Sequence, residues 1–459
     1  MNSKIVLCGA LLLGSIGMVG KNPIVQTHFT PDPAPVVFDD VCYVYTGRDE
    51  MNPQFFAMWE WRCYSSTDMV NWTDHGCPLA MEDFSWGDDR AWASQCTEHK
   101  GKYYWYICLK DKNSGTMAIG VAVADKPTGP FKDALGKPLA TGSWDYIDPT
   151  VFTDDDGQSY LYWGNPTLYY VELNDDMISF EGEIQKVDHT AEAFGSALRT
   201  NRGAGSNAGP IKDSYTEGPW VSKHAGKYYL SYAAGGIPEH ISYSMSDSPI
   251  GPWKYVGQIM PNQETNSFTN HSGVVDYKGH SYFFYHTGKL PGGGGYGRST
   301  AVEEFKYNSD GTFPTILMTE EGVSPIGTIN PFKRVEAETI AWSEGVSTEE
   351  NIETGVFVTE ISSGDFIQTR VADFGNRNPK TITASVASGA RGGQIEVRLD
   401  KKDGPVLAVL NVPATGGWER WTEVKSPVKG TVSGVHDIYL VFKGRKHCDI
   451  INIDYWQFN

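Results

Sequence analysis

Positive charge is scarce in this chain. Lys and Arg number 38 against 56 Asp and Glu in 459 residues, a formal net charge of -18. Such a balance leaves no electrostatic footprint for nucleic acid or an anionic membrane surface. Cysteine is scarce too: there are seven, none in C-x-x-C spacing, which excludes the usual zinc and dithiol arrangements. Their wide scatter reads as single buried thiols rather than a disulfide framework, although an exported chain would permit a bridge. No apolar run beyond the N-terminus is long enough to span a membrane, and no amphipathic helix of useful length is visible. The glycine run at residues 291–297 lacks both the Lys-Ser/Thr ending and a following helix, so it is not a phosphate loop.

Several features are present instead. Lys4 followed by the apolar residues 5–19 reads as a secretory signal, expected to cover residues 1–20. Cys8 sits too early in that run for lipid attachment, so a secreted or periplasmic protein without a lipid anchor is expected. Aromatic residues make up 13% of the chain. They recur in a pattern in which a turn leads into a tyrosine-rich strand: DDVCYVYTG, HKGKYYWYICL, DDGQSYLYWG, HAGKYYLSYAA and YKGHSYFFYHTG. The leading tyrosines are Tyr43, Tyr104, Tyr160, Tyr229 and Tyr282. Each unit closes on a polar turn followed by an aromatic: Trp72, Phe131, Phe180, Trp253 and Phe313. Five units of about 60 residues, each with several short strands, predict an all-β, five-bladed β-propeller over residues 21–325. Residues 326–334 read as a linker. From 335 to 459 the marks of the repeat stop and alternating strands such as TITASVAS, GQIEVRLD and HDIYLVFKG predict a β-sandwich or jelly roll.

Counting back 11 or 12 residues from each leading tyrosine reaches Asp32, Trp92, Asp148, Glu217 and His271. Equal phase in a propeller means one ring around the central axis. Taken singly, Asp32 and Asp148 precede prolines and read as turn openers, and Glu217 as a turn cap. Their common phase has no explanation in turn chemistry. Three carboxylates facing one pocket suit acid–base cleavage of a sugar bond, in which one acid stays protonated while another stays ionised.

The motifs TPDPAP, IDPTVFTDDDG and TEGPW, set in this five-unit pattern, resemble glycoside hydrolase family 43 over nearly all of residues 22–325. The resemblance implies an inverting glycosidase with Asp32 as general base, Glu217 as general acid and Asp148 as the carboxylate that orients the acid and raises its pKa. It implies that Trp92 is the apolar platform under the sugar. His271 would lie near a calcium or water cluster in the channel, and Arg298, after the glycine run, would hydrogen-bond the sugar at the pocket rim. Fructose-processing relatives of this architecture are expected to carry Arg-Asp-Pro and Glu-Cys where this chain has IDPT and TEGP.

In the C-terminal part, VEAET, ISSGDFIQ, ATGGWERW and INIDYWQF resemble carbohydrate-binding module family 6. This resemblance implies a structural calcium held by Glu336, Glu338 and Asp454, hard oxygen donors of the kind that ion takes. It also implies a sugar cleft with Trp418 and Asn452, with Phe357 at the place of a second ring and Trp421 in the core. Together the resemblances imply an exported enzyme releasing α-L-arabinofuranosyl side chains from arabinoxylan or a related plant cell-wall polysaccharide. The alternatives are a β-xylosidase, an endo-arabinanase, or a glycan-binding protein with a degenerate propeller. The last would have no use for three carboxylates in one pocket.

Overall fold

The structure is a computed structural model and describes residues 20–50, 54–196 and 214–459. The expected signal segment lies outside these residues except for Gly20. Among the described residues, five antiparallel sheets follow one another along the chain, then two more form a separate layer pair. The blades begin with the strands Ala34–Phe38, Gln95–His99, Thr150–Thr153, Tyr215–His224 and Gly273–Tyr277. These five inner strands touch one another in a closed cycle, the fifth against the first, and so line a central channel. Every leading tyrosine of the repeat lies on the second strand of its blade.

The hairpins between first and second strands explain the regularity of the repeat. Asp39 and Asp40, Lys100 and Gly101, Ala225 and Gly226, and Lys278 and Gly279 all have positive φ. Two successive left-handed residues make the turn whose twist matches the flanking strands. Between blades the rings pack edge to face, for example Tyr45 on Trp105 at 4.6 Å and Tyr45 on Phe131 at 6.5 Å. Trp61, Trp105 and Trp163 are fully buried. The aromatic richness of the sequence is therefore mostly core. The ring closes through the N-terminal segment, where Asn22 and Ile24 donate backbone hydrogen bonds to Glu320 and Thr300. The Asn22 side chain bonds the backbone of Val302 in both directions.

The C-terminal unit is a sandwich. One sheet is built on Gly355–Ile361, Ile451–Phe458, Thr381–Ser388 and Gly417–Pro427, the other on Phe366–Asp373, Val435–Lys443, Gly393–Leu399 and Val406–Val412. Residues 326–334 do not hang between the units. Ile326 donates to the Asp68 carbonyl of blade one, and Ile329 exchanges backbone hydrogen bonds with Val371 and Asp373 of the sandwich. Strand Thr339–Ile340 pairs antiparallel with Trp72–Asp74 at the outer edge of blade one. Below it, buried Asp74 accepts from Arg62 at 3.0 Å and from Thr348 of the sandwich at 2.7 Å. The sandwich is thus docked on the propeller by a shared sheet and by the Thr348 hydroxyl, which reaches a buried ion pair of blade one. The six cysteines among the described residues are free thiols, and Cys42, Cys63, Cys96 and Cys108 are buried. Among these residues no helix is long and apolar enough to cross a membrane.

Candidate active site

At one mouth of the channel a small cavity is lined by residues of all five blades and encloses about 30 Å³, room for one or two waters. Asp32, Asp148 and His271 line it directly, and Glu217 reaches His271 from the fourth blade. In three blades the residue before a proline is left-handed: Asp32 (φ 56), Asp148 (φ 58) and Gly218 (φ 57). A left-handed residue in that position costs on the order of 1–3 kcal/mol and is held only by its surroundings. In blades one and three it turns an aspartate inward. In blade four the position is a glycine because a Cβ there would lie 2.9 Å from the His271 ring. The carboxylate then comes from the preceding Glu217, at a bulge in its strand.

Asp32 is buried among cations. Its Oδ1 lies 2.9 Å from Arg298 and 3.3 Å from His271 Nδ1. Burial alone would raise its pKa, but the charges of Arg298 and His271 outweigh burial and hold it well below the usual range. His286 completes the setting. Its Nε2 lies 2.9 Å from the Thr269 carbonyl, so that nitrogen carries the proton and Nδ1 accepts the Asp32 backbone N–H at 3.2 Å. Burial lowers the His286 pKa, consistent with this neutral ring.

Arg298 differs from expectation. It is not at the rim but 4% exposed beneath Asp32, with Nε and Nη2 on Asp49 at 2.9 and 3.0 Å. Its own N–H also donates to Asp49. The bidentate grip on Asp49 fixes the guanidinium plane and directs Nη1 at Asp32. Asp49, Asp32 and the Met58 sulfur take four of its five N–H donors, well inside the rim.

His271 is the hub of the site. Nδ1 faces Asp32, and Nε2 lies 3.5 Å from Glu217 and 4.0 Å from Asp148. Burial lowers its pKa, but the three carboxylates outweigh that and push it up to about 10. Asp148 is pushed up to about 7, first by burial and then by the charges of Glu217 and Asp32, against the pull of His271. Its Oδ2 accepts the Gly218 N–H at 3.2 Å. Glu217 accepts a hydrogen bond from Asn165. Behind this cluster Glu239 is buried, with a carboxyl pushed well up by burial and by Glu217, and it accepts the Asn270 N–H beside His271.

Among the described residues, Asp148, Glu217 and His271 are the one group of three such side chains whose donor atoms lie within 4.8 Å of one another. They offer two carboxylates and one imidazole nitrogen, three of the six to eight ligands that calcium takes, so an ion held there would take its remaining ligands from water.

The family profile of glycosyl hydrolases family 43 matches residues 20–313, and that of carbohydrate binding module (family 6) matches residues 336–459. The chain belongs to glycosyl hydrolases family 43. It is 34% identical to an arabinoxylan arabinofuranohydrolase of Paenibacillus polymyxa, over 95% of this chain and 74% of that one. It is 33% identical to an enzyme of the same name from Bacillus subtilis, over 95% and 92%. The crystal structure of a family 43 arabinoxylan arabinofuranohydrolase from Bacillus subtilis, in complex with cellotetraose, superposes with a TM-score of 0.82 at 31% identity, covering 96% of this chain and 99% of that one. A xylosidase/arabinosidase of Bacteroides ovatus is 32% identical but is matched by only 66% of this chain.

Around the family 43 pocket, Trp92 is half-buried. Its indole N–H donates to the Phe56 carbonyl at 3.1 Å and its ring meets Phe55 and Phe56. The Arg90 guanidinium sits within 5.6 Å of the Phe55, Trp92 and Trp144 rings, and Phe55 and Trp144 stay exposed. Asp49, His286 and Asn165 were not reached by the repeat phase. Asp49 and Asn165 follow the tyrosine-rich second strand of their blades, in YVYTGRD and YLYWGN, whereas His286 lies on that strand near its end, in YFFYHTG. A polar residue at or just beyond the end of that strand was the available signal, but its offset from the tyrosine varies.

In the module, the acids expected to clamp calcium are arranged otherwise. Arg334 lies between Glu336 at 2.8 Å and Asp454 at 3.0 Å. Glu338 is buried, its Oε2 has no hydrogen-bond partner, and its backbone carbonyl accepts from Asp74 of the propeller. Burial and the neighbouring acids push its carboxyl well up. Trp418 is 39% exposed, lying over Gly389. Asn452 is not free to meet a sugar: Nδ2 donates to the Trp418 carbonyl at 2.9 Å and Oδ1 accepts from Thr359 at 3.0 Å. Phe357 is 1% exposed beneath Trp421 and so is a core ring, not a cleft ring.

Proposed function

We propose that the protein is an inverting α-L-arabinofuranosidase that removes arabinose side chains from arabinoxylan or a closely related plant polysaccharide. The observation that carries this reading is that the likeness to named arabinoxylan arabinofuranohydrolases runs through both domains, over 95% of the chain. The relatives named for xylosidase activity match only about two-thirds of the chain, 66% and 64%.

Asp32 acts as general base. It is ionised at any working pH and sits on the Nδ1 side of His271, while Glu217 sits on the Nε2 side. The imidazole stands between the two carboxylates, which favours the wide spacing, about 6.5–9.5 Å, that an inverting pair needs for its water. A water on the Asp32 side attacks the anomeric carbon and gives its proton to Asp32. The glycosidic C–O bond breaks on the other face, and the departing backbone oxygen takes the proton of Glu217. The cations that keep Asp32 ionised also weaken it as a base, so its main contribution is to aim the water. Asp148 shares its proton with this cluster near neutrality and keeps the acid supplied. The exposed Phe55 and Trp144 at the rim suit the apolar faces of backbone sugars. Export by the N-terminal segment fits a polymer that cannot cross a membrane.

The test is a product assay on arabinoxylan, debranched arabinan and linear xylooligosaccharides. Arabinose from arabinoxylan alone is expected. Xylose from linear oligomers would replace the reading with a β-xylosidase, and arabinooligosaccharides from arabinan with an endo-arabinanase.

A further inference from the structure

The largest cavity described is not at the channel mouth. It is a groove of about 750 Å³ between the propeller and the module. One wall comes from Phe29, Arg48 and the turn at Leu290 and Pro291; the other comes from Trp342, Ser347 and Glu360. Its size lies within the usual range of ligand sites, about 300–1,000 Å³, and such sites favour domain boundaries.

The groove is built rather than left over. Both walls are tied at its floor: His28 Nε2 lies 2.9 Å from Thr348 Oγ1, and the Gln26 carboxamide accepts the Ser343 N–H at 2.9 Å. The sheet shared by Trp72–Asp74 and Thr339–Ile340 fixes the angle between the domains. The lining mixes two rings with carboxylates, an amide and hydroxyls. Its charges are largely paired within the protein: Arg48 with Glu50 and Glu60, Asp49 with Arg298, and Glu344 with Lys402. A charged ligand would have to compete with these pairs. A neutral, polyhydroxylated chain with apolar faces would not. One loop also links the groove to the surroundings of the active site. Leu290 and Pro291 face the groove, while Tyr296 of the same turn packs on Phe56 at 4.8 Å. Phe56 lies under the Arg298 guanidinium at 4.6 Å.

We propose that this interdomain groove binds an unsubstituted stretch of the neutral β-linked backbone whose side chains the propeller removes. The module then acts in place, as one wall of an extended substrate site, in addition to any binding by Trp418. The identity of the chain as xylan-type rests on the function proposed above; the groove as a sugar site rests on its own lining.

The test is calorimetric titration of linear xylohexaose into the full-length Glu217→Gln protein, which cannot turn it over. Two further changes are made in that background. Trp342→Ala removes the ring of the module wall, and Ser347→Trp fills the groove from the same side. Both are expected to weaken binding at least tenfold, with the melting temperature recorded to establish that each protein is folded. Trp418→Ala is expected to leave this site titrating. Unchanged affinity in a folded Ser347→Trp protein would overturn the proposal, as would loss of all binding in Trp418→Ala alone. Failure of the wild-type protein to release arabinose from arabinoxylan would instead sink the functional reading. In that case cellohexaose, titrated alongside, decides whether the groove takes a different neutral backbone.

Discussion

The propeller mouth and the module were both read from acids and aromatics near short motifs, yet the structure treats them differently. At the mouth, Asp32, Asp148, Glu217 and His271 converge from four blades, and each is held by at least one other polar group. In the module, Glu336 and Asp454 are taken up by Arg334, Glu338 is buried against the propeller, and Asn452 is spent on the backbone of Trp418. The lesson concerns symmetry. A propeller forces residues of equal phase onto one ring, so a sequence pattern there has a spatial meaning. A sandwich has no such axis, and a short motif can place the same residue types in a salt bridge, a core or a domain contact.

The sharpest way to break this comparison is to remove single members of the ring. Asp32→Asn should lower kcat by roughly 100- to 10,000-fold on both arabinoxylan and an aryl arabinofuranoside. Glu217→Gln should do the same on arabinoxylan but much less on the aryl substrate, whose leaving group needs little protonation. Steady-state kinetics on the two substrates check this, and equal losses in Glu217→Gln would remove it from the acid role.

The domain contact is the next largest expected effect. Asp74→Ala leaves Arg62 buried without its main partner and removes the acceptor of Thr348. Breaking such a buried pair costs about 3–5 kcal/mol. Chemical denaturation should show that loss in the propeller together with looser docking of the module. An unchanged midpoint would mean that the interface is not load-sharing.

For the module, Trp418→Ala should reduce retention on insoluble arabinoxylan by about tenfold, some 1.4 kcal/mol, measured by depletion binding. Asn452→Ala should instead lower the melting temperature, because its bonds are internal. A change in binding with no change in melting temperature for Asn452→Ala would return it to the sugar site.

The smallest effect concerns pH. Asp148 is pushed up to about 7 in the folded protein, above its value of about 4 in an unfolded chain. Between those values the folded state keeps a proton that the unfolded chain releases, so wild-type stability falls as pH rises through about 7. Asp148→Asn has no such proton to lose. Its stability relative to wild type should improve steadily from pH 4 to pH 8, as read from melting curves across that range. A flat difference would show that the Asp148 carboxyl is not perturbed.

Five tyrosine strands, their turns and the position before each inner strand could be read from the chain, because alternation and two-residue turns are local properties of the backbone. The three carboxylates followed, since equal spacing from a repeated strand leaves them one place to go. The sequence could not tell that Arg298 would lie under Asp32 rather than at the rim, because that depends on Asp49 arriving 249 residues away to grip its other face. Nor could it tell that His286, on a strand, and Asn165, just past one, would brace the acids, since they stand at different offsets from the repeated tyrosine. The acids of VEAET read as metal ligands until Arg334 and the edge of blade one were placed against them. Phase, turn type and the convergence of the three acids on one ring are thus properties of the chain itself. Which cation balances each acid, and how the two domains share a groove, were decided only when distant strands closed the ring and brought buried charges within reach of one another.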